Sequence, residues 1–466
     1  MTTPENLARL DSIEKALLDR WPETRIAPSL ERIDALADML GSPQLSYPTI
    51  HIAGTNGKTT TTRLIDSLCF ELGLRTGRFT SPHLESFLER ISINGEPITP
   101  EGMIATYNDI APYLDLVDSK MEHRLSFFET MTALAFVAFA EFPVDVGIFE
   151  CGMGGEWDST NVINSAVSVI TPIDFDHMEY LGDTLAKIAQ TKSGIIKNDG
   201  FAVLARQPQE AAEVLLKRCA ELGATPIREG IEYSVKERSL AVGGQVLTLQ
   251  APYGEYKEVF LPLHGSHQAS NAATALAAVE VFVGESSLDE EIVRAAFANA
   301  TSPGRCEIVM RNPTVIIDAA HNPHGAKSLR RTLEEEFEFD AVIGVIAPMG
   351  DKDIEGIIGE CEPIFDRVIA TKNSSHRAAD ISKISDLAKQ VFGADRVSSE
   401  SDLENAIKGA IEAARFEYAT NDKSCAVVIT GSVVTAGEAR SAITRDRKST
   451  RLNSSHEWIS RMPSSA

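Results

Sequence analysis

The sequence has few cysteines and no paired Cys-x-x-Cys motif. A disulfide-stabilised fold or a zinc site needs cysteines at close, repeated spacings. Here six cysteines are scattered along 466 residues, at Cys69, Cys151, Cys219, Cys306, Cys361 and Cys425. We therefore expect reduced thiols in a cytoplasmic protein.

Long hydrophobic runs and an excess of basic residues are also absent. The longest apolar run, 131–140, is too short to span a bilayer and is typical of a buried helix. The N-terminus carries Glu5 and Asp11 and lacks the apolar core of a signal peptide. A formal net charge of -23 argues against a nucleic-acid or membrane surface, so an anionic substrate would need a local positive site.

Length and periodicity indicate two α/β domains. At 466 residues the chain is too long for one core. Apolar strand-like runs alternate with helical segments from about residue 49, which is typical of a parallel sheet, and the alternation restarts after a Pro-Gly linker at 301–305. We predict a first domain over 1–300, a smaller second domain over 301–447, and a disordered or non-native tail over 448–466.

The same patterns place individual elements. In the first domain they predict helices over 60–72, 127–141, 182–196, 268–283 and 288–299, and strands over 144–150 and 167–171. Apolar runs around Gly243-Gly244 predict a β-hairpin with that pair as its turn. In the second domain they predict strands over 314–318, 341–346, 366–371 and 425–430, and helices over 324–337, 380–391 and 402–416.

The most informative segment runs from a short apolar stretch into Gly54-Thr55-Asn56-Gly57-Lys58-Thr59-Thr60 and then a helical pattern. Glycines let backbone N–H groups approach phosphate oxygens, and the helix start adds N–H groups and a positive dipole end. Lys58 would reach terminal phosphates and the Thr59 hydroxyl would hold Mg²⁺. Ile52 occupies the first glycine position of the general pattern, so an ordinary strand-to-helix turn with a surface lysine is the alternative.

Polar residues follow three other predicted strands. Glu150 ends a buried strand, where its carboxylate could hold Mg²⁺ opposite the phosphate loop or simply be solvated. His177 could be a metal ligand or a structural hydrogen-bonding residue. Asp318, His321 and Asn322 crowd the end of a strand in the second domain, where they could line a pocket or form an Asx-type turn that caps the next helix.

Together these segments resemble the folylpolyglutamate synthase family, often joined with dihydrofolate synthase activity, within the Mur ligase superfamily. The pattern is most similar to actinobacterial members. Twelve motifs occur in the expected order: GTNGKT (54–59), TSPHL (80–84), ERI (89–91), SFFE (126–129), ECGMGGEWDSTNVI (150–163), ITPIDFDHMEYLGDT (170–184), KSGII (192–196), HQASNA (267–272), PGR (303–305), DAAHNP (318–323), DKD (351–353) and TGS (430–432).

The resemblance implies a fold and a reaction. The fold is a P-loop Mur-ligase-like domain with a parallel sheet, followed by a Rossmann-like α/β glutamate ligase domain. The reaction is ATP-dependent addition of L-glutamate to tetrahydrofolate, and also to dihydropteroate, through an acyl phosphate, with Mg²⁺ as cofactor. We expect a cytoplasmic monomer with small-molecule substrates and without nucleic-acid or membrane partners. The preferred pterin and the glutamate chain length stay open.

Carried over by position, the resemblance assigns residues to four roles. Nucleotide binding falls to Gly54, Thr55, Asn56, Gly57, Lys58, Thr59, Thr60, Asn271, Arg305 and Asp318. Metal binding falls to Thr59, Ser81, Glu150, His177 and Lys192, the last as a carbamate. Substrate binding falls to Phe127, Phe128, Glu129, His321 and Ser432, and catalysis to Lys58, Lys192, His177 and His321. The two phenylalanines could instead be helix core.

One position departs from the family pattern. Glu156 stands where members commonly have arginine, which matters if its side chain touches substrate and not if it faces solvent. Two other functions remain open: a Mur-type ligase acting on a cell-wall nucleotide, and a nucleotide-binding regulator that has lost the chemistry. The SFFE and SPHL motifs favour folate over the cell wall, and the retained lysines and metal-ligand candidates argue against the regulator.

Overall fold

The structure, a computed structural model, describes residues 3–21, 28–284 and 286–445. The chain divides after Ser302 into two compact units. The predicted tail over 448–466 lies outside the described residues. Within the described ranges, no helix combines the length and the apolar character that crossing a membrane requires.

The first unit contains two sheets. Its helices are α1 (Pro4–Leu18), α2 (Glu31–Met39), α3 (Lys58–Glu71), α4 (Pro100–Lys120), α5 (Phe127–Glu141), α6 (Met178–Leu181), α7 (Leu185–Ser193), α8 (Gln209–Leu222), α9 (Ser266–Phe282) and α10 (Glu290–Ala298). Its strands are β1 (Thr49–Ala53), β2 (Thr76–Phe79), β3 (Ile91–Ile93), β4 (Glu96–Pro97), β5 (Val146–Glu150), β6 (Val167–Ile170), β7 (Phe201–Leu204), β8 (Thr225–Arg228), β9 (Ser234–Ala241), β10 (Gly244–Gln250) and β11 (Glu255–Leu261).

The larger sheet has the order β4-β3-β2-β5-β1-β6-β7-β8, and β9–β11 form a separate three-stranded sheet. Pairing is parallel from β2 to β8, while β3 and β4 form an antiparallel edge. The central strands β5, β1 and β6 are buried along their whole length, as their apolar sequences require. Because these three strands are parallel, their carboxyl ends lie at the same edge of the sheet, which is where open α/β folds bind ligands.

The second unit is a single six-stranded sheet with helices. Its helices are α11 (Pro323–Glu336), α12 (Ile354–Cys361), α13 (Ile381–Phe392) and α14 (Leu403–Asn421), and residues 433–445 are also helical. Its strands are β12 (Glu307–Arg311), β13 (Thr314–Ile317), β14 (Ala341–Ile346), β15 (Arg367–Ala370), β16 (Val397–Ser399) and β17 (Cys425–Thr430). The order is β12-β13-β17-β14-β15-β16, with parallel pairing except at β12. The predicted α/β fold class is confirmed.

Two predicted elements are wrong in detail. The helix predicted over 182–196 is shorter at both ends, since α7 runs from Leu185 to Ser193. Gly182 has a φ of 98°, and Thr184 caps α7 by accepting from the Lys187 N–H. The hairpin turn lies one residue earlier than predicted, since Gly244 pairs with Ala241 inside the ladder. Strand β2 was missed because its Thr-Gly-Arg-Phe sequence has no apolar run.

Candidate active site

Two glycines shape the loop between β1 and α3. Gly54 has a φ of 151°, and a Cβ at this position would lie 1.8 Å from Thr171 Oγ1. Gly57 is the N-cap of α3 with a φ of 86°, and a Cβ there would lie 2.6 Å from Asn271 Oδ1 on α9. Both positions thus require glycine for space and for backbone conformation. The tight packing also brings the predicted nucleotide-binding residue Asn271 against the loop.

The middle of this loop is tied to the segment after β6. The Thr55 hydroxyl donates to the carbonyl of Asp174 and accepts from its N–H, each at 3.0 Å. The N–H groups of Thr55 and Asn56 point to the Pro172 carbonyl at 3.0 and 3.4 Å. The carboxyl ends of β1 and β6 are therefore held together as one structure.

Two further predicted site residues follow these segments along the chain, Thr60 after the glycine-rich loop and His177 after Asp174. His177 is the N-cap of α6 and has a φ of 50°, and its Nε2 is 3.9 Å from Asp176 Oδ1. This carboxylate neighbour suits a histidine that binds a cation. Thr60 is buried, and its hydroxyl lies 2.8 Å from that of Ser302, so its side chain has a partner within the fold.

Glu150 brings together three of the predicted metal ligands. It is 1% exposed, the Thr59 hydroxyl donates to its Oε1 at 2.8 Å, and the Ser81 N–H approaches its Oε2 at 3.3 Å. The three residues come from the start of α3, the loop after β2 and the end of β5. Hydroxyl and carboxylate oxygens are the ligands that Mg²⁺ prefers, so this set fits that ion. In the described ranges, no group of three or more His, Cys, Asp or Glu residues could hold a metal.

Two lysines converge on one carbonyl oxygen of the glycine-rich loop. Lys58 Nζ donates to the carbonyls of Gly54 and Thr55 at 3.1 and 3.2 Å. Lys192 Nζ donates to the same Gly54 carbonyl at 2.8 Å. Burial, together with the nearby charge of Lys58, lowers the pKa of Lys192 to about 7. A substantial fraction of Lys192 is therefore an uncharged amine near neutral pH.

The three predicted substrate-binding residues at the start of α5 differ in burial and in their partners. Phe127 is buried in the core beneath the Arg90 guanidinium, whose carbon is 4.8 Å from the ring centroid. Glu129 completes a capping box with Ser126, and its Oε1 accepts a hydrogen bond from Arg32 Nε at 2.9 Å. Both residues thus have structural partners. Phe128 is half-buried and lies against Gly152, where a Cβ would come within 2.7 Å of its ring. Phe128 is thus the least buried of the three residues, and its ring also lies 5.7 Å from that of Phe79.

In the second unit, polar residues after β13 bond mainly to nearby backbone. Asp318 accepts from the N–H groups of Cys306 and Ala320, both at 2.8 Å. Asn322 caps α11 by accepting from the Gly325 N–H at 2.8 Å, as the Asx-type alternative predicts. Burial raises the pKa of Asp318, whereas the nearby charge of Arg305 lowers it. Asp318 and Arg305 are thus electrostatic neighbours.

Two further predicted residues of this unit differ in their accessibility. The ring Nδ1 of His321 lies 3.0 Å from the Ala319 carbonyl, and its side chain is half-buried. Ser432 is 2% exposed, and its hydroxyl lies 2.7 Å from the Thr435 hydroxyl and 3.2 Å from Asn373 Nδ2. The Ser432 hydroxyl is thus enclosed by hydrogen bonds within the fold.

Sequence reasoning missed a buried polar cluster behind Glu150. Asp158 accepts from the Met153 N–H at 2.9 Å and from the Thr160 hydroxyl at 2.6 Å, and Thr160 in turn lies 2.7 Å from His51 Nε2. Burial lowers the pKa of His51 well below its usual value, so the ring is neutral. The cluster fixes the glycine-rich turn after β5. Asp158 and Thr160 stand inside the fourteen-residue motif, but their burial is not visible in the sequence.

Glu156, the residue that departs from the family pattern, has its side chain in solvent. Its side chain is exposed, and its carbonyl accepts from Asn161 Nδ2 at 2.9 Å. Its N–H donates to the Thr191 carbonyl at 2.8 Å. The main chain of Glu156 thus carries the structural contacts, and the charge of its side chain is not part of them.

Known families match both units. Residues 52–279 match the Mur ligase middle domain, and residues 304–433 match the Mur ligase glutamate ligase domain. With a glycine-rich loop, a hydroxyl–carboxylate pair and two lysines at one edge of a parallel sheet, the chain is a Mur ligase. Its particular branch follows from individual relatives.

A dihydrofolate synthase/folylpolyglutamate synthase from Mycobacterium tuberculosis is 50% identical over 466 residues, which is 95% of this chain and 96% of the relative. One from Bacillus subtilis is 34% identical over 423 residues, 89% of this chain and 95% of the relative. A solved structure of Mycobacterium tuberculosis folylpolyglutamate synthase complexed with ADP has a TM-score of 0.91 at 50% identity, covering 94% of this chain and 99% of that one. The chain belongs to the dihydrofolate synthase/folylpolyglutamate synthase family, which confirms the resemblance.

Proposed function

We propose that this protein is an ATP-dependent ligase that joins L-glutamate to the carboxylate of a folate through an amide bond. The contact of the Glu150 carboxylate with the Thr59 hydroxyl, directly after the glycine-rich loop, carries the proposal. This pair can hold a divalent cation against the phosphates of a nucleotide. The names of the relatives support folate as the substrate, and the ADP complex of one of them supports ATP.

The reaction needs an activated carboxylate, because a free carboxylate is a poor acyl donor. A carboxylate oxygen of the folate attacks the γ-phosphorus of ATP, the bond from that phosphorus to the bridging oxygen breaks, and ADP leaves. The uncharged amine of glutamate then attacks the acyl carbon and loses a proton, and phosphate leaves. Because the first step brings two anions together, the chain must supply positive charge.

The glycine-rich loop supplies part of this charge. Lys58 Nζ is held at the loop by the carbonyls of Gly54 and Thr55, and it is the cation that we assign to the terminal phosphates. The N-terminus of α3 adds N–H groups and the positive end of its dipole. We assign residues 54–60 and Asn271 to nucleotide binding, with the side chain of Asn271 packed against Gly57.

The Thr59, Ser81 and Glu150 set would hold Mg²⁺, and His177 would serve a second ion. Mg²⁺ bound there supplies neutralisation of the charge on the transferring phosphoryl group. Glu150 is buried and already oriented by the Thr59 hydroxyl and the Ser81 N–H. Such prior orientation lowers the reorganisation that binding requires.

Lys192 suits conversion to a carbamate. The uncharged amine attacks the carbon of carbon dioxide and loses a proton, which replaces a cation by an anion. The pKa of Lys192, lowered to about 7, keeps a reactive amine available near neutral pH. The product would place an anionic ligand beside the glycine-rich loop, whose Gly54 carbonyl Lys192 Nζ already contacts.

For the remaining residues we propose narrower roles. In the first unit, Phe128 contacts the pterin side of the folate, while Phe127 and Glu129 hold the start of α5. In the second unit, Arg305, Asp318 and His321 contact nucleotide or glutamate, and Ser432 positions the loop after β17. The protein works as a cytoplasmic monomer with small-molecule substrates.

Turnover with the two candidate acceptors tests this function. The protein, ending before the tail at residue 448, is given ATP, Mg²⁺, L-glutamate and bicarbonate with either dihydropteroate or tetrahydrofolate. Phosphate release with a product heavier by one glutamate residue supports the ligase and identifies its acceptor. ATP binding without turnover of either acceptor would contradict it and favour the cell-wall ligase or the regulator.

A further inference from the structure

Arg63 is an uncommitted cation beside the proposed metal site. It lies on α3 one helical turn after Thr59, so the two residues share a face of the helix. That face is anchored on both sides, by the Thr59–Glu150 hydrogen bond and by the buried Asp66–Arg78 ion pair. Arg63 stands between these two contacts. It forms no hydrogen bond or ion pair with any residue that the structure describes.

The carboxylates around Arg63 are already bonded to other groups. Glu150 is held by the Thr59 hydroxyl and the Ser81 N–H. Glu89 accepts from three backbone N–H groups, those of Leu84, Glu85 and Ser86, at 3.0, 3.1 and 2.9 Å. Asp66 is paired with Arg78, which also donates to the Ser92 hydroxyl at 2.8 Å. These carboxylates attract the positive charge of Arg63, but their own hydrogen bonds and ion pairs are made with other groups.

The direction of the side chain places this charge near the reaction. Side chains on a helix extend back toward its N-terminus, which for Arg63 is the direction of Thr59. The Arg63 guanidinium lies within electrostatic range of Glu89, Asp66 and Glu150. Arg63 is half-buried, and burial together with Arg78 lowers its pKa to about 10. Arg63 is still positively charged at neutral pH, and partial burial strengthens its electrostatic interactions because the effective dielectric constant there is lower than in water.

We propose that Arg63 binds the reacting carboxylate of the acceptor and holds it against the γ-phosphate of ATP. This inference rests on the proposed ligase function. The phosphates approach the loop and the N-terminus of α3, where Lys58 and backbone N–H groups receive them. Arg63 lies on the flank that faces β5 and β2, where the attacking group would enter. A guanidinium matches a carboxylate with two parallel hydrogen bonds, and it offsets the repulsion between the two anions.

The test isolates the first chemical step by trapping the acyl phosphate. Hydroxylamine replaces glutamate, attacks the acyl carbon through nitrogen, loses a proton and releases phosphate, leaving a hydroxamate. Arg63→Gln should lower the rate of hydroxamate formation about 100-fold and raise the KM for the acceptor, as expected on losing one preorganised charged donor. Arg63→Lys should recover part of the rate, because it restores the charge without the paired geometry.

Two controls keep the outcome interpretable. ADP affinity of Arg63→Gln should stay within about threefold of the wild type, since the change spares the phosphate loop. Arg75→Gln removes a surface arginine that pairs with Asp145 at 2.9 Å and should leave hydroxamate formation unchanged. If the Arg63→Gln variant formed the hydroxamate at the wild-type rate, the inference would be overturned. A loss of ADP affinity that accounts for the whole decrease in rate would also overturn it. Absence of hydroxamate with the wild type itself would instead contradict the proposed function.

Discussion

The two units place polar side chains at the same topological position, the carboxyl ends of parallel strands, but use them differently. In the first unit, Thr59 bonds to Glu150, 91 residues away, and Lys192 to Gly54, 138 residues away. In the second unit, Asp318 accepts from backbone N–H groups 2 and 12 residues away. The first set joins separate elements through groups that a ligand can displace. The second set chiefly shapes its own turn.

This difference indicates which substitutions should affect chemistry and which should affect local stability. A side-chain hydroxyl or ammonium can exchange its protein partner for phosphate or metal at small cost, because the bond it gives up is replaced. A carboxylate or amide that accepts mainly from backbone N–H groups leaves those buried donors unpaired when it moves, so its removal should chiefly reduce local stability. Four substitutions test the contrast, in order of decreasing effect.

The largest effect is expected from Lys192→Ala in the first unit. It removes a buried amine that contacts the glycine-rich loop and, with it, the proposed carbamate. Turnover should fall about 1,000-fold, near the upper limit for removing one preorganised charged group. Lys187→Ala on the same helix is the matched control, because Lys187 is exposed and pairs with Asp183 at 2.9 Å. Equal rates for the two variants would take Lys192 out of the site.

Glu150→Gln should have the next largest effect. The amide keeps the size of the side chain and an acceptor for the Thr59 hydroxyl but loses the negative charge. We expect turnover to fall about 100-fold and the Mg²⁺ concentration needed for half-maximal rate to rise. Titration of activity with Mg²⁺ measures both. A normal Mg²⁺ response would mean that the Glu150 carboxylate only holds the fold together, which would break the contrast between the units.

Asn322→Ala tests the second unit. It removes the N-cap of α11, which accepts from the Gly325 N–H at 2.8 Å. The start of this helix should lose about 1 kcal/mol of local stability. Hydrogen exchange at the first turn of α11 should accelerate about fivefold, since 1 kcal/mol corresponds to that factor. Turnover should stay within about threefold of the wild type, and a larger loss would show that this turn takes part in the chemistry.

Glu156→Arg should have the smallest effect. The side chain is exposed, and its main chain makes the local contacts. Restoring the arginine common in the family should therefore leave turnover within about twofold, as for most surface substitutions. The comparison uses both acceptors, because a specificity role would change their ratio. A clear rise in rate with either acceptor would place this side chain at the substrate after all.

Local sequence determined much of the first unit. The apolar runs of β1, β5 and β6 and the glycine-rich loop before α3 follow from patterns within a dozen residues. These patterns also located Glu150 and Lys58. Elements without a strong apolar period, such as β2, escaped prediction because their burial depends on neighbours that periodicity does not report. The helix predicted from residue 182 begins only at Leu185, because a helix start depends on capping contacts such as that of Thr184, which periodicity does not report.

The sequence by itself determined the class of fold, the order of the motifs and the family, since each rests on short-range patterns. Tertiary structure alone decided which residues share space. It buried Lys192 beside Lys58 and so lowered its pKa to about 7, enclosed Ser432, turned Glu156 to solvent and left Arg63 without a partner among the described residues. The physical reason is that solvation and charge pairing depend on groups brought together across a hundred or more residues, which no local pattern encodes.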